Sequence, residues 1–122
     1  MTETPETDSV INVQEALIYT AGDPEMLASM AELFLVEGPK QLQQIDTQVK
    51  AGNLEGIRKG AHSLKGSITI FAAREAVAAA LELERVANEE NAALIPDAWN
   101  ALTIEVGRLL DDAQRLRKRL AE

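Results

Sequence analysis

The sequence holds a single histidine, His62, in the run Ala61-His62-Ser63-Leu64-Lys65-Gly66-Ser67. Ala61, Leu64 and Ile68 recur at the three-and-four spacing of a buried helical stripe. On a helix of 100° per residue that stripe lies about 130° from His62, so the imidazole is expected on the solvent side. Lys65 and Gly66 are its i+3 and i+4 neighbours and flank it on the same face. An exposed imidazole near neutral pH keeps one ring nitrogen free as a nucleophile without an activating base. With phosphorus as the electrophile, Lys65 places an ammonium beside the phosphoryl oxygens. Gly66 in mid-helix costs about 1 kcal/mol relative to alanine, a cost that makes sense where another protein must approach the imidazole closely. Read singly, each residue has an ordinary explanation: a surface histidine, a solvated lysine, a glycine that packs against another helix.

The histidine must be held by a helix, and the chain supplies helices throughout. Leu54, Ile57, Ala61, Leu64, Ile68 and Phe71 form one bundle seam at alternating three and four spacing. Before it, Asn12 with Glu15 three residues later resembles a capping box that opens a short helix closed by Gly22. Asp23 followed by Pro24 is an N-cap with proline at the first helical position. From there Leu27, Met30, Ala31, Phe34, Gly38, Leu42, Ile45 and Val49 keep one phase through Gly38-Pro39, which predicts one long helix bent at Pro39, with a true break there as the alternative. Met26, Met30 and Phe34 are expected in the core, with an exposed apolar patch as the other reading. Ala51-Gly52-Asn53 ends this helix and caps the next.

After the histidine helix, Ala73, Ala76, Val77, Ala80, Leu83 and Ala87 line a helix with a small-residue face, ended by Asn88-Glu89-Glu90-Asn91. Pro96 opens a last helix carrying Trp99, Leu102, Val106, Leu109, Ala113, Leu116 and Leu120. No segment alternates with period two as a strand would. The expected fold is all-α: an antiparallel four-helix bundle with a short N-terminal lid helix, comprising residues 12–122 behind a flexible acidic tail, residues 1–11.

Composition narrows the function. The chain has 122 residues, 46% hydrophobic and 26% charged, with no cysteine and a formal charge of −8. Zero cysteines exclude disulfides, thiolate metal sites and a cysteine nucleophile. Net acidity argues against nucleic acid, whose phosphates call for clustered Lys and Arg. The polar, acidic N-terminus is unlike a signal peptide, and no apolar run is long enough to span a membrane. A soluble, cytoplasmic, free-standing monomer is expected. The charge is uneven: residues 50–74 hold Lys50, Arg58, Lys59, Lys65 and Arg74 against Glu55 alone, while both flanks are net acidic. The basic excess on the histidine helix favours an anionic partner or a phosphoryl group.

Ala61-His62-Ser63-Leu64-Lys65-Gly66-Ser67, continued by Phe71-Ala72-Ala73 and by Ala76, Ala80, Leu83 and Glu84, resembles the signature of histidine-containing phosphotransfer (HPt) domains of two-component phosphorelays. The resemblance extends over roughly residues 12–118. It implies a stoichiometric phosphoryl carrier that is not itself a kinase. His62 would accept a phosphoryl group from the aspartyl phosphate of one receiver domain, in a response regulator or hybrid histidine kinase, and pass it to the aspartate of another. Mg²⁺ would sit in the receiver's acidic pocket, and this chain would bind no cofactor. The resemblance implies that Glu84 hydrogen-bonds the imidazole Nδ1 and aims Nε2 outward. Arg58, Lys59, Ser63, Ser67 and Thr69 are the expected docking residues. The sequence departs from the family pattern at Ala72, where a glycine is usual, and at Ile68, where a small residue is common.

Other classes fit less well. A kinase dimerisation domain needs an acidic residue straight after the histidine, where Ser63 stands, and an ATP-binding domain whose Gly-rich motif is absent. A di-metal carboxylate protein needs Glu-x-x-His pairs, which one histidine cannot supply. The remaining alternatives are a bundle that binds receivers without accepting phosphate, and the phosphoacceptor module of a chemotaxis-type kinase.

Overall fold

A computed structural model of the protein describes residues 10–121, and all of its regular structure is helical. The helices are α1 (Val13–Tyr19), α2 (Pro24–Ala51), α3 (Leu54–Ile68), α4 (Arg74–Asn88) and α5 (Ile95–Ala121), with 3-10 turns at Thr69–Phe71 and Ala92–Leu94. Three starts are capped as the sequence predicts. Asn12 accepts from the Glu15 amide, Asp23 from the Glu25 and Met26 amides, and Asn53 from the Gly56 amide. Each satisfies amides that the first turn leaves without a helical partner. Gly52, at φ 68°, ends α2 in the left-handed conformation that glycine adopts without strain.

α2 packs on α3 and α5, and α4 packs on α3 and α5, which closes a ring of four helices joined by short connections. That is the expected bundle, with α1 laid over the 3-10 turn that follows α3. Leu27, Ala31, Phe34 and Ile45 of α2 meet Ile57, Ala61, Leu64 and Ile68 of α3, Ala76, Ala80, Leu83 and Val86 of α4, and Leu102, Val106 and Leu109 of α5. Among the described residues no helix is long and apolar enough to cross a membrane.

The structure resolves one choice and amends several expectations. α2 is continuous through Pro39. Pro39 is exposed, so the helix forgoes one amide without opening the core. Phe34 is buried and its ring lies 5.5 Å from that of Phe71, whereas Met26 is half exposed and Met30 only partly covered. The histidine helix stops at Ile68 rather than reaching Phe71, and Phe71 enters the core from the 3-10 turn. Ala72 then takes φ 53°, the left-handed conformation a glycine would hold freely. An L side chain there costs about 1 kcal/mol. Burial of Ala72 and the hydrogen bond from the Asn12 amide to the Phe71 carbonyl (3.2 Å) keep the turn in place.

The tail boundary also moves. Residues 1–9 lie outside the described residues, but Val10 and Ile11, assigned to the tail from sequence, are buried, and the Ile11 amide donates to Asp112 of α5 at 2.8 Å. Val10 and Ile11 therefore belong to the packed domain.

The α2–α3 contact depends on a glycine that the sequence reading passed over. A methyl at Gly60 would lie 2.7 Å from Cγ1 of the buried Ile45. Gly60→Ala is expected to lower stability in urea unfolding by about 1–2 kcal/mol, because the overpacking cost exceeds the gain in helix propensity. A more stable Gly60→Ala protein would contradict so close a packing of the two helices.

Candidate functional site: the histidine face of α3

The core stripe of α3 turns His62 to solvent, where its side chain is 61% exposed. Its Nδ1 lies 2.9 Å from Oε2 of Glu84 on α4. A carboxylate only accepts, so Nδ1 carries the proton and donates it, and the lone pair is left on Nε2. Lys65, one turn further along α3, brings Nζ to 3.4 Å from the other Glu84 oxygen. One carboxylate thus holds both the imidazole and the adjacent cation. Burial at the α3–α4 seam pushes the Glu84 carboxyl up, but the His62 hydrogen bond and the Lys65 charge and hydrogen bond outweigh it and hold the group below the usual carboxylate range.

Glu84→Ala removes the acceptor that selects this tautomer. Phosphoryl acceptance is expected to slow about tenfold, since part of the imidazole then carries its proton on the attacking nitrogen. The pH dependence has a definite sign. The folded carboxyl titrates below its unfolded value, so its contribution to stability is complete above the ordinary carboxyl value of 4.5 and is lost as pH falls through the lower folded value. Thermal unfolding of wild type and Glu84→Gln as a function of pH should therefore show a gap that closes only on the acid side of 4.5. A gap that closes near neutrality would point to a different group.

Gly66 is exposed, and a methyl built there meets nothing within 4 Å. It differs from Gly60 in this respect. Nothing inside the described domain requires Gly66 to lack a side chain.

The expected docking residues divide. Arg58 is clasped by Glu55 through Nε (3.0 Å) and Nη2 (2.8 Å), and Lys59 lies 3.8 Å from the same carboxylate. The Ser67 hydroxyl donates to the Ser63 carbonyl at 3.4 Å and the Thr69 hydroxyl to the Lys65 carbonyl at 2.7 Å. Both are spent on their own helix as donors and face partners only as acceptors. Ser63 is exposed on the same helix. The basic excess is also less free than the sequence implies. Lys50 pairs with Asp46, Arg58 and Lys59 with Glu55, Lys65 with Glu84, and Arg74 with Glu15. Glu15 therefore serves Arg74 instead of closing the reciprocal half of a capping box.

Two shallow apolar grooves flank the histidine face. On the α2 side Met30, Leu33, Ser67 and Ile70 border one of about 210 Å³. On the α4 side Tyr19, Thr69, Val77 and Leu81 border another of about 330 Å³. The second was missed from sequence. Its only local signal is Leu81, four residues after Val77 and three before Glu84, half exposed on a helix whose other large apolar residues point inward.

The family model for the Hpt domain matches residues 29–119. No curated protein and no solved structure matches the chain. The family match begins in the first turns of α2, takes in α3 with His62 and all of α4, and ends near the end of α5. With the four-helix ring and the outward histidine in place, the chain belongs to the Hpt domain family, the histidine phosphotransfer modules of two-component phosphorelays.

Proposed function

We propose that His62 is the phosphoacceptor of a phosphorelay intermediate, loaded by the aspartyl phosphate of one receiver domain and discharged to the aspartate of a second. The observation that carries this reading is the Nδ1 to Glu84 hydrogen bond, which leaves the lone pair on Nε2 of a largely exposed ring. In the forward step that lone pair forms the N–P bond while the acyl phosphate P–O bond breaks and its electrons return to the receiver's carboxylate. No proton needs to move. Nδ1 keeps its hydrogen, the ring becomes a phosphoryl imidazolium, and Glu84 faces the new positive charge. Lys65 is placed to neutralise phosphoryl oxygens, and the bare Gly66 surface lets the receiver's pocket reach the imidazole. Discharge is the same step reversed.

Orientation and charge supply most of the catalysis in such a transfer, so a carrier can work without a nucleotide site of its own. Mg²⁺, which stabilises the transferring phosphoryl charge when bound, is assigned to the receiver. Among the described residues no three His, Asp or Glu side chains are gathered to hold a metal, and Glu84 is already engaged by an N–H and an ammonium. Incubation with a radiolabelled phospho-receiver and Mg²⁺ tests the reading. Label on this chain that survives base and is lost in acid is expected. A chain that binds receivers yet stays unlabelled with all of them is a binder and not a carrier.

A further inference from the structure

We propose that Arg58 is a second phosphoryl-binding cation of this site, held by Glu55 in the unphosphorylated protein and transferred to the phosphoryl oxygens once His62 is loaded. The proposal rests on the reading of His62 as phosphoacceptor. Arg58 stands four residues before His62 and Lys65 three residues after it, so on α3 the imidazole lies between two cations, one turn to either side. Helical side chains lean toward the N-terminus of their helix. The imidazole therefore leans over the turn that carries Arg58, and Lys65 leans toward the imidazole, while Arg58 leans away to Glu55 and must swing back to meet a phosphoryl group on His62. On a helix of 100° per residue Arg58 and Lys65 lie to the same side of His62, by about 40° and about 60°, and it is on that side that Lys65 meets Glu84.

The two cations differ in what holds them. Lys65 shares Glu84 with the imidazole, and Glu84 is needed most when the ring becomes positive. Arg58 is held by a carboxylate with no part in the site. Glu55 is three residues away on the same helix, its side chain is 60% exposed, and it has Lys59 within 3.8 Å as a second partner. An exposed pair of this kind contributes little. A phosphoryl group offers nearly two negative charges and three acceptor oxygens, which the planar guanidinium fork matches better than an ammonium does. Glu55 keeps Lys59 when Arg58 leaves, so the exchange strands no charge.

The test uses phosphoramidate, a small phosphoryl donor that needs no docking surface, alongside a labelled receiver. Phosphohistidine lifetime, and the fraction of label on this chain at equilibrium with the receiver, are measured for wild type, Arg58→Gln, Glu55→Gln and the double variant. Arg58→Gln should shorten the lifetime and lower the fraction roughly tenfold, the scale of one charge-assisted hydrogen bond. Glu55→Gln, which frees Arg58, should raise both, and should do nothing once Arg58 is gone. A structural clasp predicts the opposite pattern, with both single variants moving the same way. That pattern, or unchanged lifetimes in all variants, overturns the proposal and leaves His62 as the acceptor. No label on the wild-type chain from either donor overturns the phosphoacceptor reading and this proposal with it.

Discussion

Replacing His62 with glutamine is expected to abolish phosphoryl acceptance while leaving the fold as stable as before. The side chain is largely exposed and hydrogen-bonds Glu84, so Gln can fill the same surface and reach the same carboxylate. What it lacks is a ring nitrogen lone pair. The loss should be complete with phosphoramidate and with every receiver, because no docking surface can compensate for a missing nucleophile. Unfolding midpoints within the error of wild type would separate loss of chemistry from loss of structure. Residual label on His62→Gln at the wild-type level would move the acceptor to another side chain.

Gly66→Gln should produce the second-largest effect and a more selective one. A Cβ at this position meets nothing within 4 Å, and replacing a mid-helix glycine gains up to about 1 kcal/mol of helix propensity, so the variant should fold at least as well. The longer side chain projects beside the imidazole into the space a receiver must occupy. Displacing the reacting atoms by even 1 Å can cost about a hundredfold in rate, and transfer from a phospho-receiver is expected to fall on that scale. Loading by phosphoramidate should hardly change. Equal slowing with both donors would show that the substitution disturbs His62 itself, and equal speed with both would remove the clearance argument for this glycine.

The contrast between Gly66 and Gly60 shows what could be read from the sequence. Both are mid-helix glycines on α3; spacing sets Gly60 beside the buried stripe, three residues after Ile57 and four before Leu64, and Gly66 beside His62, but that Gly60 meets Ile45 depends on another helix. Local periodicity was enough to turn His62 outward and to set Lys65 and Gly66 beside it, because those relations lie within two turns of one helix. Glu84 came only through family resemblance. It is 22 residues away, and nothing in α4 read alone says that this carboxylate meets an imidazole. The Arg74–Glu15 pair was hidden for the same reason: the two are 59 residues apart, and their contact depends on how α1 lies across the end of the bundle. The pairs of Lys50 with Asp46 and of Arg58 and Lys59 with Glu55 span only three or four residues and lie within one helix.

The helix ends were legible where a side chain caps them, at Asn12, Asp23 and Asn53. They were not legible where tertiary structure decides. The α3 helix shortens into a 3-10 turn because the chain must reverse at Ala72 to lay α4 antiparallel, and an alanine, unlike the glycine usual in the family, does not by itself mark a left-handed turn. Val10 and Ile11 read as the end of a polar tail, since two apolar residues have no periodicity. Asp112, 101 residues further on, is what fixes Ile11. Pro39 supported both a kinked and a broken helix from local chemistry, and the unbroken phase of Phe34, Gly38 and Ile45 on the buried side is what keeps α2 whole.

Phosphorus is expected to bond to Nε2 of His62 while Nδ1 keeps its proton against Glu84. Heteronuclear NMR on the nitrogen-labelled, phosphorylated chain reads both atoms at once. Phosphorus–nitrogen coupling at Nε2 is expected, together with a protonated Nδ1 whose resonance moves in Glu84→Ala. Phosphorus on Nδ1, or on any side chain other than His62, would contradict it.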